Sequence, residues 1–445
     1  MTTPESPPRR PWRRRLVAAA AAVIAVLALA VVGERVLDLV APFPRAALTR
    51  PTGSLILVDA DGSELRWQDR GGIRQHWVGL SAISPHFLAA LIASEDRRFR
   101  GHGGVDGLAL ARATAMNLMH GRRTSGASTL TMQTVRLCLP GSRTWTGKIQ
   151  EALRARQLER LLDKDTILEQ YCNRVPFGGR LVGVEAASRS WFGKRAADLG
   201  PAEGAMLVAM LPAPSRRSPV GDRDLLRRHR DRILGLILTV SEVEDARAEA
   251  LPTAPHPFPW LAPHACDHAL ARSGSAEGTL ILDLRLADQR RLEQAIAGEG
   301  PVDGLAAVVC DREGRIRAHL GSTDWHLRPF DAASAGRSVG STLKPFLYRR
   351  ALADDILGSH SLVADRPVEQ VPWSPRNEDE RYLGDLPLDE ALVRSRNPPA
   401  VRTLAAIGLD AFADELHHHG LDLAVNDLGA ALGTATASPI DLARA

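Results

Sequence analysis

The residues best suited to chemistry in this chain lie together between Glu95 and Asp106. This stretch contains three acidic side chains, three arginines and one histidine. Glu95 and Asp96 follow the apolar part of a predicted helix, and a carboxylate at the edge of a core is where burial raises a pKa toward the range of a general base. A charged helix end held by surface salt bridges explains the same composition more simply.

The helix that would position Glu95 has a clear beginning. Ser84 is a suitable N-cap, and Pro85 occupies the first helical position. The apolar residues that follow form one stripe, which predicts that the helix lies on a core: Phe87, Leu88, Leu91 and Ile92.

Three later stretches carry further polar groups. Residues 126–136 contain Gly-Ala-Ser-Thr-Leu-Thr-Met-Gln-Thr-Val-Arg, residues 148–151 contain Lys-Ile-Gln-Glu, and residues 167–179 contain Ile-Leu-Glu-Gln-Tyr-Cys-Asn-Arg-Val-Pro-Phe-Gly-Gly. Ser128 is a predicted helix cap, and one long helical pattern from 148 to 171 places Lys148 and Glu151 on the same face. Taken alone, these residues are also what an ordinary helix surface would carry.

In this order, the four stretches resemble the successive motifs of the family 51 peptidoglycan glycosyltransferases, the lysozyme-like domains of class A penicillin-binding proteins. The resemblance runs from about Leu80 to Pro219. A second resemblance, from about Thr279 onward, is to the transpeptidase domain of the same proteins. The sequence Gly-Ser-Thr-Leu-Lys-Pro-Phe at 340–346, and Gly147 before Lys148, resemble the penicillin-binding protein 1C type.

The resemblance implies roles for the charged residues. Glu95 matches the catalytic base, and the charge of Asp96 would help to raise the pKa of Glu95. Glu151 matches a second catalytic carboxylate, which would orient groups around a leaving pyrophosphate or hold a divalent cation. Lys148 and Arg136 match basic residues that would neutralise phosphate charge.

The resemblance also assigns residues around the substrate. Thr129, Gln133 and Asn173 would line the sugar cleft, while Phe99 and His102 would shape the turn around Glu95. His102 could equally cap that turn without touching substrate.

One position departs from the family pattern. Many relatives have Arg-Lys where this chain has Gly147-Lys148. A donor-site cation is therefore missing, or it is supplied by Arg143 or Arg154.

Two carboxylates in a lysozyme-like domain also suggest glycan cleavage. The basic residues beside them argue for synthesis instead, because a neutral glycan leaving group needs no such cations. The resemblance allows a divalent cation, Mg²⁺ or Mn²⁺, at Glu151 and implies no organic cofactor.

The second region carries Ser341-x-x-Lys344, in which a neutral lysine one helical turn away could take the serine proton. Ser395-x-Asn397 follows, and the resemblance places both residues in the substrate site. No Lys-Thr-Gly is present, and Lys344 is the last lysine before Ala445. We therefore expect a fragment or a truncated product whose transpeptidase domain is incomplete and unable to acylate.

The N-terminus predicts a membrane anchor. Five arginines precede an apolar run from Leu16 to Val32, which is near the lower length for a membrane-spanning helix. The arginines predict a cytoplasmic N-terminus. A cleaved signal peptide is the alternative, because Ala28-Leu29-Ala30 resembles a cleavage site.

Composition sets further bounds. The chain has 445 residues, 44% hydrophobic, with a net charge of +4. The chain has no basic stretch interleaved with aromatic residues, so its sequence does not indicate nucleic-acid binding. The chain has four cysteines, and their spacing fits neither a zinc site nor a disulfide framework: Cys138, Cys172, Cys266 and Cys310. We interpret them as buried free thiols, with a single disulfide between two of them as the alternative.

The expected fold is an N-terminal transmembrane helix, a mostly α lysozyme-like glycosyltransferase domain, and an incomplete α/β (α+β) transpeptidase domain of the serine β-lactamase-like type. The expected segments are a basic cytoplasmic tail (1–15), the anchor (16–38), a connector (39–79), the glycosyltransferase domain (80–250), a Pro-rich linker (251–278) and the partial transpeptidase domain (279–445).

The leading functional hypothesis is a glycosyltransferase of the cell inner membrane, with periplasmic domains, that polymerises lipid II onto a nascent glycan chain. The resemblance makes moenomycin a candidate inhibitor of the first domain, and β-lactams candidate inhibitors of the second domain only if Ser341 can be acylated. One alternative is a serine transpeptidase or carboxypeptidase with a glycan-docking first domain, and another is a non-catalytic scaffold of the cell-wall machinery.

Overall fold

The structure is a computed structural model. It describes residues 32–36, 38–69, 71–120, 128–142, 144–274, 277–297, 304–368 and 373–445. Most of the predicted anchor, 16–38, lies outside these ranges. Within them, no helix combines the length and apolar character needed to span a bilayer.

The described chain divides into two compact units. The first contains the described residues up to Leu55, together with Gln68–Phe258 and Ala276–Gly278, and the second contains Ile56–Trp67, Pro259–Ser275 and Thr279–Ala445. The predicted connector therefore contributes residues to both units.

The first unit is mostly helical. Its helices are α1 (Pro85–Glu95), α2 (Gly107–His120), α3 (Leu130–Cys138), α4 (Trp145–Leu161), α5 (Lys164–Arg174), α6 (Val184–Phe192), α7 (Pro201–Met210), α8 (Arg223–Ile237) and α9 (Val240–Ala248). With strands numbered along the whole chain, it also contains a small sheet of order β3-β5-β4: β3 (Arg74–Gln75), β4 (Pro176–Gly178) and β5 (Leu181–Val182).

The start of α1 confirms the sequence-based expectation. The Ser84 hydroxyl accepts a hydrogen bond from the His86 amide, and Pro85 is the first helical residue. Phe87 and Leu91 are fully buried in the core that α1 shares with α7 and α8. Glu95 is therefore placed at the edge of that core, because it ends a helix whose other face is buried.

Two helical predictions were wrong in detail. Thr129, not Ser128, caps α3, and its hydroxyl accepts from the Met132 amide at 3.1 Å. The single helix expected from 148 to 171 is two helices, because Leu162 leaves the helical conformation and the Asp163 carboxylate caps a new helix by accepting from the Thr166 amide at 2.7 Å.

The second unit mixes strands and helices. Its strands are β1 (Leu55–Val58), β2 (Glu64–Gln68), β6 (Gly278–Ile281), β7 (Ala307–Cys310), β8 (Ile316–Leu320), β9 (Arg337–Ser338), β10 (Leu362–Asp365), β11 (Gly384–Pro387) and β12 (Thr436–Ala437). Three terminal residues of these strands, Leu55, Gln68 and Gly278, belong to the first unit. Its helices are α10 (Pro263–Ser273), α11 (Leu286–Ala297), α12 (Lys344–Ala353), α13 (Leu388–Val393), α14 (Asn397–Ile407), α15 (Leu409–His418) and α16 (Pro439–Arg444).

The strands pair in short sheets. One sheet has the order β2-β1-β6, and the antiparallel pairs are β7 with β8, β9 with β12, and β10 with β11. The hairpin expected around 311–314 is confirmed by the pairing of Val308 with His319. Part of the predicted linker is helical, because Pro263 starts α10.

All four cysteines are free, and two of them, Cys172 and Cys266, are buried. Burial raises the pKa of the Cys266 thiol to about 12. This thiol therefore stays protonated at neutral pH.

Candidate active site

Glu95 is the last residue of α1 and is only partly exposed. Burial is the main cause that raises the pKa of its carboxyl. The nearby charge of Asp96 acts in the same direction but more weakly, while a hydrogen bond from Gln133 and the charge of Arg217 oppose the rise. A carboxylate with a raised pKa is a stronger proton acceptor than a fully exposed one, as a general base requires.

Gln133 on α3 contacts Glu95 directly. Its Nε2 donates to Glu95 Oε2 over 3.2 Å. Gln133 is partly buried, so this bond forms where water competes weakly for the carboxylate.

Glu151 on α4 lies in a different environment. Its Oε1 accepts from Lys148 Nζ at 3.1 Å and from Arg136 Nη2 at 3.0 Å. The carboxylate is 12% exposed, whereas the Lys148 and Arg136 side chains are 43% and 48% exposed. Lys148 Nζ also donates to Ser128 Oγ at 2.6 Å. Two accessible cations held by a half-buried carboxylate are suited to bind an anionic group.

Helix α3 links the two carboxylates. Gln133 and Arg136 lie three residues apart on this helix and hence on one face. Gln133 binds Glu95 and Arg136 binds Glu151. The site is therefore organised by one helical turn, which brings a carboxylate with a raised pKa and a cation-flanked carboxylate to the same side of α3.

Asp96 is the C-cap of α1 and is buried. Its Oδ2 accepts from the Leu130 amide at 3.0 Å, and both of its oxygens lie within 3.1 Å of His102 Nε2. The His102 side chain is 6% exposed. These contacts join the end of α1, the turn after it and the start of α3, so both residues hold the site together from within.

Three predicted substrate residues are buried rather than open to a cleft. Asn173 is 0% exposed, and its amide bonds to the backbone of Val78 and Glu169. Thr129 is 2% exposed and donates to the Gly104 carbonyl at 2.6 Å. Phe99 is 0% exposed and lies under the Lys164 ammonium. These three side chains are buried because they pack inside the unit or cap a helix. The motifs alone do not show this.

Lack of space explains why residue 147 is a glycine. A Cβ at this position would lie 2.1 Å from the Ser142 carbonyl oxygen, so no larger residue fits without moving that backbone. Arg154 does not replace the missing cation, because its Nη1 donates to the Ala41 and Pro42 carbonyls and to Gln157. Arg143 lies outside the described residues. Arg136 is the second cation at Glu151.

The donor set at Glu151 does not fit a resident divalent cation. Its carboxylate is already paired with two cations, and a metal site needs several oxygen ligands. No group of three or more histidine, cysteine or acidic side chains in the described ranges is arranged to hold a metal. No chemical step is therefore assigned to a metal.

Arg217 and Tyr171 were not assigned a role from sequence. Arg217 lies in the Pro-rich segment after α7, and its charge acts on Glu95 through space. Tyr171 belongs to one of the motifs, and its hydroxyl donates to Gln133 Oε1 at 3.2 Å. No sequence signal links either residue to Glu95, because the link depends on how α1, α3 and α5 pack.

The second unit contains the other predicted group of residues. Lys344 is 1% exposed, and its Nζ donates to the Ser395 carbonyl at 2.7 Å, to Ser395 Oγ at 3.1 Å and to Asn397 Oδ1 at 2.7 Å. Burial, with a smaller contribution from the charge of Arg396, lowers the pKa of Lys344 to about 8. Ser341 is exposed, and no hydrogen bond joins it to Lys344 in the described part of the chain.

Comparison with known proteins agrees with the motifs. The Transglycosylase family model matches residues 61–237. The chain is 39% identical to penicillin-binding protein 1C of Escherichia coli, over 88% of this chain and 53% of that protein. It is 30% identical to penicillin-binding protein 2D of Bacillus subtilis, over 95% of this chain and 65% of that protein. A crystal structure of penicillin-binding protein 1A from Haemophilus influenzae gives a TM-score of 0.46 at 18% identity, over 88% of this chain and 67% of that chain, which is too weak a likeness to argue from.

Most of the helix-rich first unit, including the two carboxylates joined through α3, falls within the match to the Transglycosylase family model. The chain is similar to penicillin-binding proteins, the 1C type among them, over most of its length, which agrees with the resemblance carried by the motifs. It spans about half the length of curated relatives that it matches, 53% and 56% for two of them.

Proposed function

We propose that the first unit is a peptidoglycan glycosyltransferase that polymerises lipid II into glycan strands. The observation that carries this proposal is the turn of α3, in which Gln133 holds Glu95 and Arg136 holds Glu151. One helix thereby supports a proton acceptor and an anion-binding group, the two functions that glycosyl transfer from a pyrophosphate requires.

In the proposed reaction, the 4-hydroxyl of the acceptor sugar attacks C1 of the donor. The hydroxyl proton passes to the Glu95 carboxylate as the new C1–O bond forms. The bond between C1 and the undecaprenyl pyrophosphate breaks, and the pyrophosphate leaves with the bonding electrons. Lys148 and Arg136 neutralise the negative charge that develops on the leaving group.

The test is lipid II polymerisation by the detergent-solubilised full chain and by Glu95→Gln. This change keeps the shape of the side chain and removes its basicity, so we expect a rate loss of about 10²- to 10⁴-fold with an unchanged thermal unfolding profile. Glu203→Gln is the matched control. Glu203 Oε2 accepts a hydrogen bond from the Gly200 amide at 2.8 Å at the start of α7, and a glutamine side-chain oxygen can accept the same bond, so this variant should keep its activity.

Equal rates for the wild type and Glu95→Gln on folded protein would remove Glu95 as the base. Glycan strands that shorten with time instead of growing would favour the glycosidase alternative.

For the second unit we propose that Ser341 is not acylated by penicillin in this chain. The support is that all three described hydrogen bonds of Lys344 Nζ go to Ser395 and Asn397, which leaves Ser341 without its proton acceptor. A fluorescent penicillin should label neither the wild type nor Ser341→Ala. Labelling of the wild type that Ser341→Ala abolishes would contradict the proposal and favour the transpeptidase alternative.

We further propose a single-pass anchor in the inner membrane with a cytoplasmic N-terminus. Its support is the arginine-rich tail before the apolar run at 16–32. A single cysteine introduced at Thr3, in a chain whose native cysteines are replaced, should resist a membrane-impermeant thiol reagent added to spheroplasts. Labelling before lysis would contradict this orientation.

A further inference from the structure

The carboxylate proposed as the base is connected to the core of the first unit by two hydrogen bonds in series. Tyr171 Oη donates to Gln133 Oε1 at 3.2 Å, and Gln133 Nε2 donates to Glu95 Oε2 at 3.2 Å. The three residues come from α5, α3 and α1, so the connection crosses three helices of the unit.

The direction of this chain follows from the groups at its ends. An ionised carboxylate only accepts hydrogen bonds, so the Gln133 NH₂ group must face Glu95. The amide oxygen then faces Tyr171 and requires a donor there. A phenol hydroxyl supplies that donor. With no donor at this position, the amide would lose the contact that fixes its orientation.

Tyr171 is suited to this task and to no contact with substrate. Its side chain is 1% exposed. Burial, followed by the negative charge of Glu95, raises the pKa of Tyr171 well above its ordinary value, while the charge of Arg136 opposes the rise. The hydroxyl therefore keeps its proton and remains a donor throughout the pH range in which an enzyme works.

We propose that Tyr171 is a positioning residue for the base, because its hydroxyl fixes the Gln133 amide with its NH₂ group toward Glu95. This role rests on the proposed glycosyltransferase function and specifies how the base is kept ionised. A fixed NH₂ donor stabilises the carboxylate more than the carboxylic acid, so it offsets part of the effect of burial. The base is then ready to accept a proton at a lower pH than burial alone would allow.

Other groups act on Glu95 as well, and they stay in place when Tyr171 changes. Asp96 on α1 and Arg217 in the segment after α7 act through their charges. Neither one contacts the Tyr171 hydroxyl among the described hydrogen bonds, so a change at Tyr171 reports on the Gln133 link.

The test is Tyr171→Phe in the full chain, with polymerisation measured across pH. We expect the acidic limb of the kcat/KM profile to move to higher pH, the rate on that limb to fall on the order of fivefold, and KM to stay unchanged. At a pH well above the limb the rate should recover. A merely structural tyrosine would lower stability without moving the profile.

Tyr348→Phe is the matched control. Tyr348 is also buried, and its hydroxyl has no hydrogen-bond partner among the described atoms. The same chemical change should therefore leave the pH profile in place. In a Gln133→Leu background, Tyr171→Phe should have no further effect on the profile, because the link is already broken.

A second measurement does not depend on catalysis. The Glu95 carboxyl is titrated by infrared difference spectroscopy against Glu95→Gln, in the wild type and in Tyr171→Phe. We expect Glu95 to titrate at a higher pH in the variant. The positioning role would be overturned if Glu95 titrated at the same pH in both proteins. It would also be overturned if the effects of Tyr171→Phe and Gln133→Leu on the pH profile were fully additive. If the wild type makes no glycan strands, the proposed function fails while this titration still decides the role of Tyr171.

Discussion

Each unit contains an ionisable group whose pKa is shifted toward neutrality by burial, partial for Glu95 and complete for Lys344, but the two units hold these groups in different ways. Burial raises the pKa of Glu95 in the first unit and lowers the pKa of Lys344 to about 8 in the second. Glu95 receives one hydrogen bond from a side chain that is itself fixed by another side chain. Lys344 donates three hydrogen bonds, one of them to a backbone carbonyl.

The two units also differ in which residues adopt positive φ. The non-glycine residues with positive φ in the described ranges all belong to the second unit, and one of them is Ser395, with φ of 50°. In the first unit, the described residues with positive φ are all glycines. Gly104, for example, has φ of 91°, and a Cβ there would lie 2.7 Å from the Ala155 carbonyl oxygen.

This difference separates two ways to build a site. In the first unit, helix packing sets the distances and side-chain bonds tune the base. In the second unit, an unfavourable backbone conformation at Ser395 brings an additional acceptor to the lysine. The changes below test that distinction.

The largest expected effect is the loss of polymerisation when a cation of the first unit is removed. Lys148→Met removes one of the two cations that Glu151 holds, and we expect polymerisation to fall about 10²- to 10³-fold, as when one preorganised charge-stabilising donor is removed. Steady-state rates at saturating lipid II measure the effect.

Lys164→Met is the control for that loss. Lys164 pairs with Glu159 at 2.7 Å and lies over the Phe99 ring, so it should affect stability more than rate. Equal losses in both variants would mean that Lys148 acts through folding, and the distinction between the sites would weaken.

The second effect is the pH dependence of the stability of the second unit. Lys344 has a pKa of about 8 when folded and 10.5 as its reference value, so the unfolded chain binds more protons between these values. The contribution of Lys344 to the free energy of unfolding should therefore rise with pH through this window, by up to roughly 3 kcal/mol in total.

Lys344→Met should lose this rise, whereas Lys194→Met, which removes a lysine paired with Glu203 in the first unit, should keep it. Denaturant titrations between about pH 7.5 and 9.5 give the comparison. The Cys266 thiol titrates in all three proteins and cancels in the differences. A wild-type profile parallel to that of Lys344→Met would show that the lysine is not held as its burial implies.

The smallest expected effect concerns Ser395. Both Ser395→Ala and Ser395→Gly lose the hydroxyl contact with Lys344, but only glycine adopts positive φ without strain. Ser395→Gly should therefore be more stable than Ser395→Ala by about 1 kcal/mol. Equal midpoints of chemical unfolding would mean that the backbone at Ser395 stores no strain, and the two sites would then be built alike.

Much of the first unit followed from sequence because its signals are local. The N-cap at Ser84 and the proline at the start of α1 each depend on only a few neighbouring residues. The pair Lys148–Glu151 followed from helical spacing alone. The order of the motifs was sufficient to predict the family, since order along the chain needs no knowledge of packing.

What the sequence could not determine was which motif residues face the site. Asn173 and Thr129 occupy motif positions, yet one is buried against backbone and the other caps a helix. The serine and lysine of Ser341-x-x-Lys344 have the expected spacing, but the lysine bonds to Ser395 and Asn397.

The sequence by itself thus predicted the family resemblance, the main helices of the first unit and the two carboxylates, because these depend on residue type and short-range spacing. Only the tertiary structure decided that Gln133 and Arg136 divide those carboxylates between them and that Tyr171 supports the base. These relations join α1, α3, α4 and α5 across tens of residues of sequence. They arise because side chains distant in sequence are brought within hydrogen-bond distance when the helices pack around a common core.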